Sequence, residues 1–257
     1  MYSLLIGGSS GIGFALVRNL ARQGINVVVV AIPDALLSTA MDKLKSEFPS
    51  IQFLEIGVSL GNGNYLEIIE EKTKHLPISL VFNNAGYMKT GFFDSLDWNV
   101  HAANIACNST AGIAISHIFV RRMRAQNLKG AIAFTSSPAG FMPSPFSCLY
   151  GATKAMITHF ASSLAGEVHA DGIDVCVLHP SPVNTAFYTG AHNMPTLKFF
   201  QSTGGSADGV ADVLLRGIGR SVIIDQGYYP ITLRLLLRVS ILFIVLVLLY
   251  VKILILS

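Results

Sequence analysis

Four consecutive valines, Val27 to Val30, sit inside an apolar run from Ile25 to Ala31. A strand with one wet face alternates apolar and polar residues, so a run without alternation needs cover on both faces. The pattern recurs. Tyr2–Ile6, Ile51–Ile56, Ile78–Phe82, Gly130–Ser136 and Ile173–Leu178 read as further strands, and a last one lies near Val222–Asp225. Between them come stretches of helical period. One runs from Gly11 to Gln23, where Ile12, Ala15, Leu16 and Leu20 recur. Another, with Pro33 in its first turn, reaches Phe48; the rest are Asn62–Lys74, Val100–Gln126, Leu149–Ala170 and Ala207–Arg216. Strand–helix alternation with doubly buried strands predicts an α/β fold, a doubly wound parallel sheet in a single domain over residues 1–230. Right-handed crossovers gather the strand C-termini on one edge, where such sheets bind ligands.

Composition excludes several function classes. The chain is 51% hydrophobic and 13% charged, with a mean hydropathy of +0.54. That is far from a disordered tail and too apolar for an ordinary soluble domain. The excess sits at the end: from Leu235 to Ser257 the only charges are Arg238 and Lys252. Taking those two from the 18 Lys and Arg leaves 16 against 15 Asp and Glu, so nucleic-acid binding has no electrostatic support. Cys107, Cys148 and Cys176 form no C-x-x-C or zinc spacing, which suits a reduced, cytosol-facing protein. Seven histidines show no ligand spacing, and no metal site is expected. Leu4-Leu5-Ile6 is too short for the apolar core of a signal peptide.

Three motifs carry chemistry. Gly7-Gly8-Ser9-Ser10-Gly11-Ile12-Gly13 lies between a strand and a helix. Missing side chains there let backbone amides and the helix N-terminus approach a pyrophosphate, although a Gly-rich turn is the plainer reading. Asn83-Asn84-Ala85-Gly86 ends the fourth strand. It is either an ordinary turn or a floor under a cofactor. Tyr150 and Lys154, four apart, share a helix face. The pair alone usually marks a solvated face. A neighbouring ammonium, however, favours the phenolate and makes the phenol a better proton donor or acceptor near neutral pH. Ser137, thirteen residues upstream at a strand end, offers a hydroxyl to a substrate oxygen.

Together these residues resemble the classical short-chain dehydrogenase/reductase family, in the family's order over roughly residues 2–230. The resemblance implies a Rossmann fold, a nicotinamide cofactor and an oxidoreductase acting on a carbonyl or alcohol. It implies cofactor contacts from Gly7, Ser9, Ser10, Gly11, Ile12, Gly13, Asn84, Ala85, Gly86, Tyr150 and Lys154. Pro180, Val183 and Thr185 in Pro180-Ser181-Pro182-Val183-Asn184-Thr185 match the family's stretch after the sixth strand and are expected to join them. Tyr150 is the implied proton donor, Lys154 its activator and ribose contact, and Ser137 the group that orients the substrate oxygen. The family's catalytic Asn falls on Asn104 or Asn108; Asn108 is taken, as holder of a helix kink and of a water that relays to Lys154. A homodimer is a compatible assembly.

The sequence departs from the family pattern at four places, the last of them a pair of residues. Ile6 replaces the Thr before the first glycine, Gly57 the Asp ending the third strand, and Ser181 the Gly after Pro180. At the end of the second strand, Ala31 and Ile32 supply neither the acid of NAD-preferring members nor the cation of NADP-preferring ones. With no acid to repel a 2′-phosphate, NADP(H) is expected to be favoured over NAD(H), with Arg22 or Lys43 as candidate phosphate contacts. A non-catalytic nucleotide-binding membrane scaffold is the rival reading, argued against by intact Ser137, Tyr150 and Lys154. His179 reads as a strand-end polar residue or a neighbour of the nicotinamide, and Trp98 as a packing anchor.

Residues 231–257 read as a membrane segment. Val239–Val251 carries no charge, and the stretch from Leu235 to Leu256 would extend about 33 Å as a helix. It spans the bilayer, lies in its interface, or packs as a core helix; being apolar all round argues against the last. Arg234 and Arg238 before it favour a cytosol-facing body. The Pro180–Gly205 loop carries Phe187, Tyr188, Met194, Leu197, Phe199 and Phe200, an apolar lid suited to a lipid-like substrate. The body is similar to 3-ketosphinganine reductases and to membrane hydroxysteroid dehydrogenases, which implies lipid metabolism at the endoplasmic reticulum.

Overall fold

The computed structural model describes residues 1–61, 63–183, 185, 187 and 204–239. Seven parallel strands form one sheet: β1 Tyr2–Ile6, β2 Asn26–Ala31, β3 Phe53–Gly57, β4 Ile78–Asn83, β5 Gly130–Thr135, β6 Ile173–Pro180 and β7 Ile223–Gln226. Their spatial order is β3-β2-β1-β4-β5-β6-β7. The sequence reverses direction across the sheet between β3 and β4, so the edge above β1 and β4 is a topological switch point where loops splay apart.

The valine run is explained by the layers. Val28 and Val30 join one core with Leu4, Ile115, Phe119 and Ile132. Val27 and Val29 join the other with Leu16, Leu20, Met41 and Phe82. All four are fully buried, each contributing about 1.5–3 kcal/mol relative to exposure. The helices α1 Gly11–Arg22, α2 Ala35–Glu47 and α7 Ala207–Gly217 cover the second core. The helices α3 Tyr65–Thr73, α5 Ala111–Ala125 and α6 Cys148–Val168 cover the first. Residues 98–125 are long and apolar enough to cross a membrane, yet Ile115, Phe119 and Met123 are buried in the core.

Several expectations are corrected. Pro33 lies outside α2, because Asp34 caps it: its Oδ1 accepts from Leu37 N at 3.0 Å. The expected single helix over 100–126 is interrupted. A helix α4, Trp98–Ile105, passes through a π-turn, Ala106–Thr110, into α5. Trp98 is no packing anchor; it is 61% exposed and leans on the His101 ring, centroids 6.3 Å apart. The last described element is a helix over 228–239. Tyr188, Met194, Leu197, Phe199 and Phe200 of the expected lid, and residues 240–257 of the expected membrane segment, lie outside the described residues.

Candidate active site

A cavity of about 1160 Å³ opens along the C-terminal edge of the sheet. Every residue singled out as catalytic or cofactor-binding lines it, except Gly13 and Asn108, which stand immediately behind its wall. At one end the turn after β1 brings backbone to the surface. Ser10, the N-cap of α1, makes no side-chain cap bond, so the first amides of α1 are not claimed by it. Gly13 makes this turn possible: a β-carbon there would stand 1.9 Å from the Gly7 carbonyl oxygen. Asn84 Nδ2 donates to the same Gly7 oxygen at 3.2 Å, and its Oδ1 accepts from Thr135 Oγ1 at 2.9 Å. The end of β4 is thereby tied to the turns after β1 and β5. The cradle fits a dinucleotide, whose pyrophosphate the α1 amides would hold, with Asn84, Ala85 and Gly86 as the floor beneath it.

The adenosine end is poor in polar side chains. Ala31, Ile32, Asp34 and Leu36 line it, with Ile32 61% exposed. Neither Arg22 nor Lys43 lines the cavity. Arg22 faces Glu47 and Asp208, at 3.8 and 4.0 Å. For Arg22 the expected reach to a 2′-phosphate finds no counterpart in the fold, since α1 turns that face toward α7.

At the other end the side chains converge. The buried stripe of α6 includes Tyr150, Lys154, Ile157, Ala161 and Val168. The lower members pack on the sheet, and Tyr150 and Lys154 continue the stripe past its edge into the cavity. Lys154 Nζ donates to the Thr135 carbonyl at 2.7 Å and lies 5.7 Å from the Tyr150 ring centre. Burial pushes the ammonium down to about 8; the charged form loses its hydration there. Ser137 stands at the end of β5, its Oγ accepting from Ala139 N at 3.2 Å. The turn Pro138–Gly140 seats directly on α6, because Gly140 leaves room: a β-carbon would come within 2.8 Å of the Lys154 backbone.

Asn108 sits in the π-turn. Its Oδ1 accepts from Tyr87 N and its Nδ2 donates to Tyr87 O, both at 2.8 Å. A β-carbon on Gly86 would lie 3.1 Å from Asn108 Oδ1 and 3.3 Å from Lys154 Nζ, so amide and ammonium flank the same glycine. Asn104, the alternative, donates to Tyr87 O at 3.0 Å and accepts from Asn108 at 3.3 Å. It stands one turn further back.

Four contributors escaped the sequence reading. Ser136 is buried and donates to the Lys154 carbonyl at 2.9 Å. Cys107 lines the cavity, its thiol pushed up by burial. Met88 and Tyr229 line it too. Cys107 adjoins Asn108, a neighbourhood that could have flagged it; Tyr229 gave no local signal. His179 does not reach the cavity. It is fully buried, its Nδ1 3.0 Å from Asp225 Oδ1 and its Nε2 3.0 Å from Thr158 Oγ1. Phe187 keeps its expected place, 5.7 Å from the Tyr150 ring.

The family model for short chain dehydrogenases matches residues 2–195. The chain belongs to that family. It is 27% identical over 181 residues to a very-long-chain 3-oxoacyl-CoA reductase of Kluyveromyces lactis, covering 68% of this chain and 52% of that protein. It is 29% identical over 198 residues to 17-beta-hydroxysteroid dehydrogenase type 3 of Mus musculus, covering 76% and 64%. The chain thus spans about half to two thirds of the length of these curated relatives. Among solved structures, a short-chain dehydrogenase from Sphingobium yanoikuyae in complex with NADPH superposes with a TM-score of 0.79 at 26% identity, over 87% of both chains.

Proposed function

We propose that this member of the family is an oxidoreductase that interconverts a ketone and an alcohol on a lipid-like substrate. The observation that carries the reading is the convergence of Ser137, Tyr150 and Lys154 on one end of a cavity whose other end is a dinucleotide cradle. When bound, a nicotinamide cofactor supplies the hydride for reduction, or takes it for oxidation. The chain does the rest. Ser137 donates a hydrogen bond to the substrate oxygen and fixes its place. Tyr150 passes its hydroxyl proton to that oxygen as the alcohol forms. Lys154, protonated below about 8, stabilises the phenolate left behind and holds the cofactor ribose. Asn108, anchored on both sides of Tyr87, holds the π-turn and a water that returns the proton toward Lys154.

Relatives act, by their names, on 3-oxoacyl-CoA and on hydroxysteroids. Met88, Met142, Phe146 and Phe187 line the cavity and suit an apolar chain or ring system. Candidate substrates are a long-chain 3-oxo compound, 3-ketosphinganine included, and a steroid ketone. NADP(H) is the preferred cofactor in this reading, since no free acid ends β2 and the Asp34 carboxylate is engaged in capping α2. The charge-free run Val239–Val251 is taken as a membrane anchor leaving the body on the cytosolic side, at the endoplasmic reticulum. Resistance of the full chain to alkaline carbonate extraction checks that placement, and release contradicts it.

Tyr150→Phe tests the chemistry. The variant should lose a factor of about 10² to 10⁴ in turnover, the usual size of general acid catalysis. It should bind NADPH within about threefold of the natural chain, because only the hydroxyl is gone. Turnover at the natural rate would remove Tyr150 from the mechanism.

A further inference from the structure

Behind the catalytic helix runs a buried polar chain that neither catalysis nor cofactor binding uses. The parallel register of β6 and β7 sets His179 beside Asp225. His179 Nδ1 lies 3.0 Å from Asp225 Oδ1 and its Nε2 3.0 Å from Thr158 Oγ1. Thr158 Oγ1 is 2.8 Å from Ser136 Oγ, which donates to the Lys154 carbonyl. Arg234 Nη2 also lies 3.3 Å from His179 Nδ1, and Thr158 Oγ1 donates to the Lys154 carbonyl at 2.7 Å as well, so the imidazole is held between a carboxylate that only accepts, a guanidinium that only donates and a hydroxyl that can do either.

The other end of this chain is Arg234, on the helix over 228–239. Its Nε and Nη2 fork onto the Asp225 carboxylate, Nη2 to Oδ1 at 2.9 Å. The guanidinium also lies 4.2 Å above the Phe141 ring, whose edge contact with His179 has centroids 5.3 Å apart. Phe141 is thus gripped between cation and imidazole, and the next two residues, Met142 and Pro143, line the cavity. Five residues before Arg234 on the same helix, Tyr229 lines the cavity as well, its amide donating to Ser181 Oγ at 3.2 Å.

We propose that Arg234 is a positioning residue that latches the C-terminal helix to the sheet, making Tyr229 and the Phe141–Pro143 turn a fixed wall of the substrate end and so setting which bulky ketones enter. A forked guanidinium–carboxylate pair has one preferred geometry, and cation–π contact adds to it at a partly desolvated site. At 26% and 16% side-chain exposure the pair is shielded from screening by salt. Asp225 is held by the strand ladder, so the pair transmits the position of the sheet to the helix. The segment first taken only as the approach to a membrane is, in this view, also part of the substrate site.

This inference rests on the reading that the Ser137–Tyr150 end of the cavity takes the ketone. The test uses the full chain in detergent, comparing Arg234→Gln with the natural chain on a small ketone (cyclohexanone) and a bulky aryl or long-chain ketone. KM for the bulky ketone should rise about tenfold. Small-ketone kcat/KM and the dissociation constant of NADPH should shift less than threefold. Arg234→Lys, which keeps the charge without the fork, should fall between. Arg238→Gln, one turn on and exposed, should match the natural chain. Equal losses on both ketones, or none, would overturn the latch. Hydrogen exchange separates it from the catalytic reading: amides of 228–239 and 141–147 should exchange faster in Arg234→Gln. Unchanged exchange overturns the latch even in an active enzyme. Failure of the natural chain to reduce any ketone overturns the catalytic reading, and the exchange result then decides the latch alone.

Discussion

At the nucleotide end of the cavity the shape is made by backbone: the Gly7–Gly13 turn, the α1 amides, and the Asn84–Gly86 floor. At the reacting end it is made by side chains: Tyr150, Lys154, Ser137 and, behind them, Asn108. The departures from the family pattern fall mostly at the first end, at Ile6, Ala31, Ile32 and Gly57. The two ends obey different chemistry. A pyrophosphate is bound by amides and a helix dipole, which any side chain leaves intact if it does not fill the space. Proton transfer needs a particular hydroxyl beside a particular ammonium.

That contrast can be broken where it is sharpest. Gly13→Val should reduce NADPH affinity at least a hundredfold, because a β-carbon at 1.9 Å from the Gly7 oxygen must displace the whole turn. Ile6→Thr, which restores a side chain typical of the family, should change that affinity less than threefold. Fluorescence titration measures both, and similar effects from the two substitutions would mean that side chains, not backbone, govern the nucleotide end.

A smaller effect sharpens the adenosine end. With Ala31 and Ile32 ending β2, Asp34 capping α2 through Oδ1, and no cation among the described residues lining the adenosine end, NADPH should bind about tenfold more tightly than NADH, roughly 1.4 kcal/mol. Titration of both reduced cofactors decides it; tighter binding of NADH would refute the preference.

A last effect, read in stability rather than affinity, concerns the polar chain behind the reacting end. Burial holds His179 down to about 4, from 6.5 in the open chain, against the opposing pull of Asp225. Between those values the unfolded chain binds a proton that the folded chain refuses, so stability contributed by neutral His179 is complete above pH 6.5 and falls as pH drops toward 4. Thermal midpoints followed over this range should fall more steeply for the natural chain than for His179→Gln. Parallel curves would show that His179 titrates alike in both states.

Much of the fold was legible because it is written locally. Unbroken apolar runs mark strands covered on both faces, and the Tyr150–Lys154 spacing marks one face of a helix. What escaped depends on contacts distant in the chain. The Arg234–Asp225–His179 chain joins residues 46 and 55 positions apart from His179, and no pattern announces it. The π-turn at Ala106–Thr110 adds one residue to a helical period without changing composition. Trp98 misled because size suggests burial, whereas its place at the first turn of α4 leaves it facing outward. Pro33, expected in the first turn, lies two positions before the first residue of α2, and Asp34 is the cap whose side chain locates the boundary.

The most direct test of the account is ketone-dependent oxidation of NADPH by the full chain. It should be followed by absorbance with a panel of 3-oxoacyl, 3-ketosphingoid and steroid ketones and small-ketone controls. The account predicts oxidation that depends on an added apolar ketone and yields the corresponding alcohol. Tight NADPH binding with no ketone-dependent oxidation across the panel would contradict it and leave a nucleotide-binding membrane scaffold in its place.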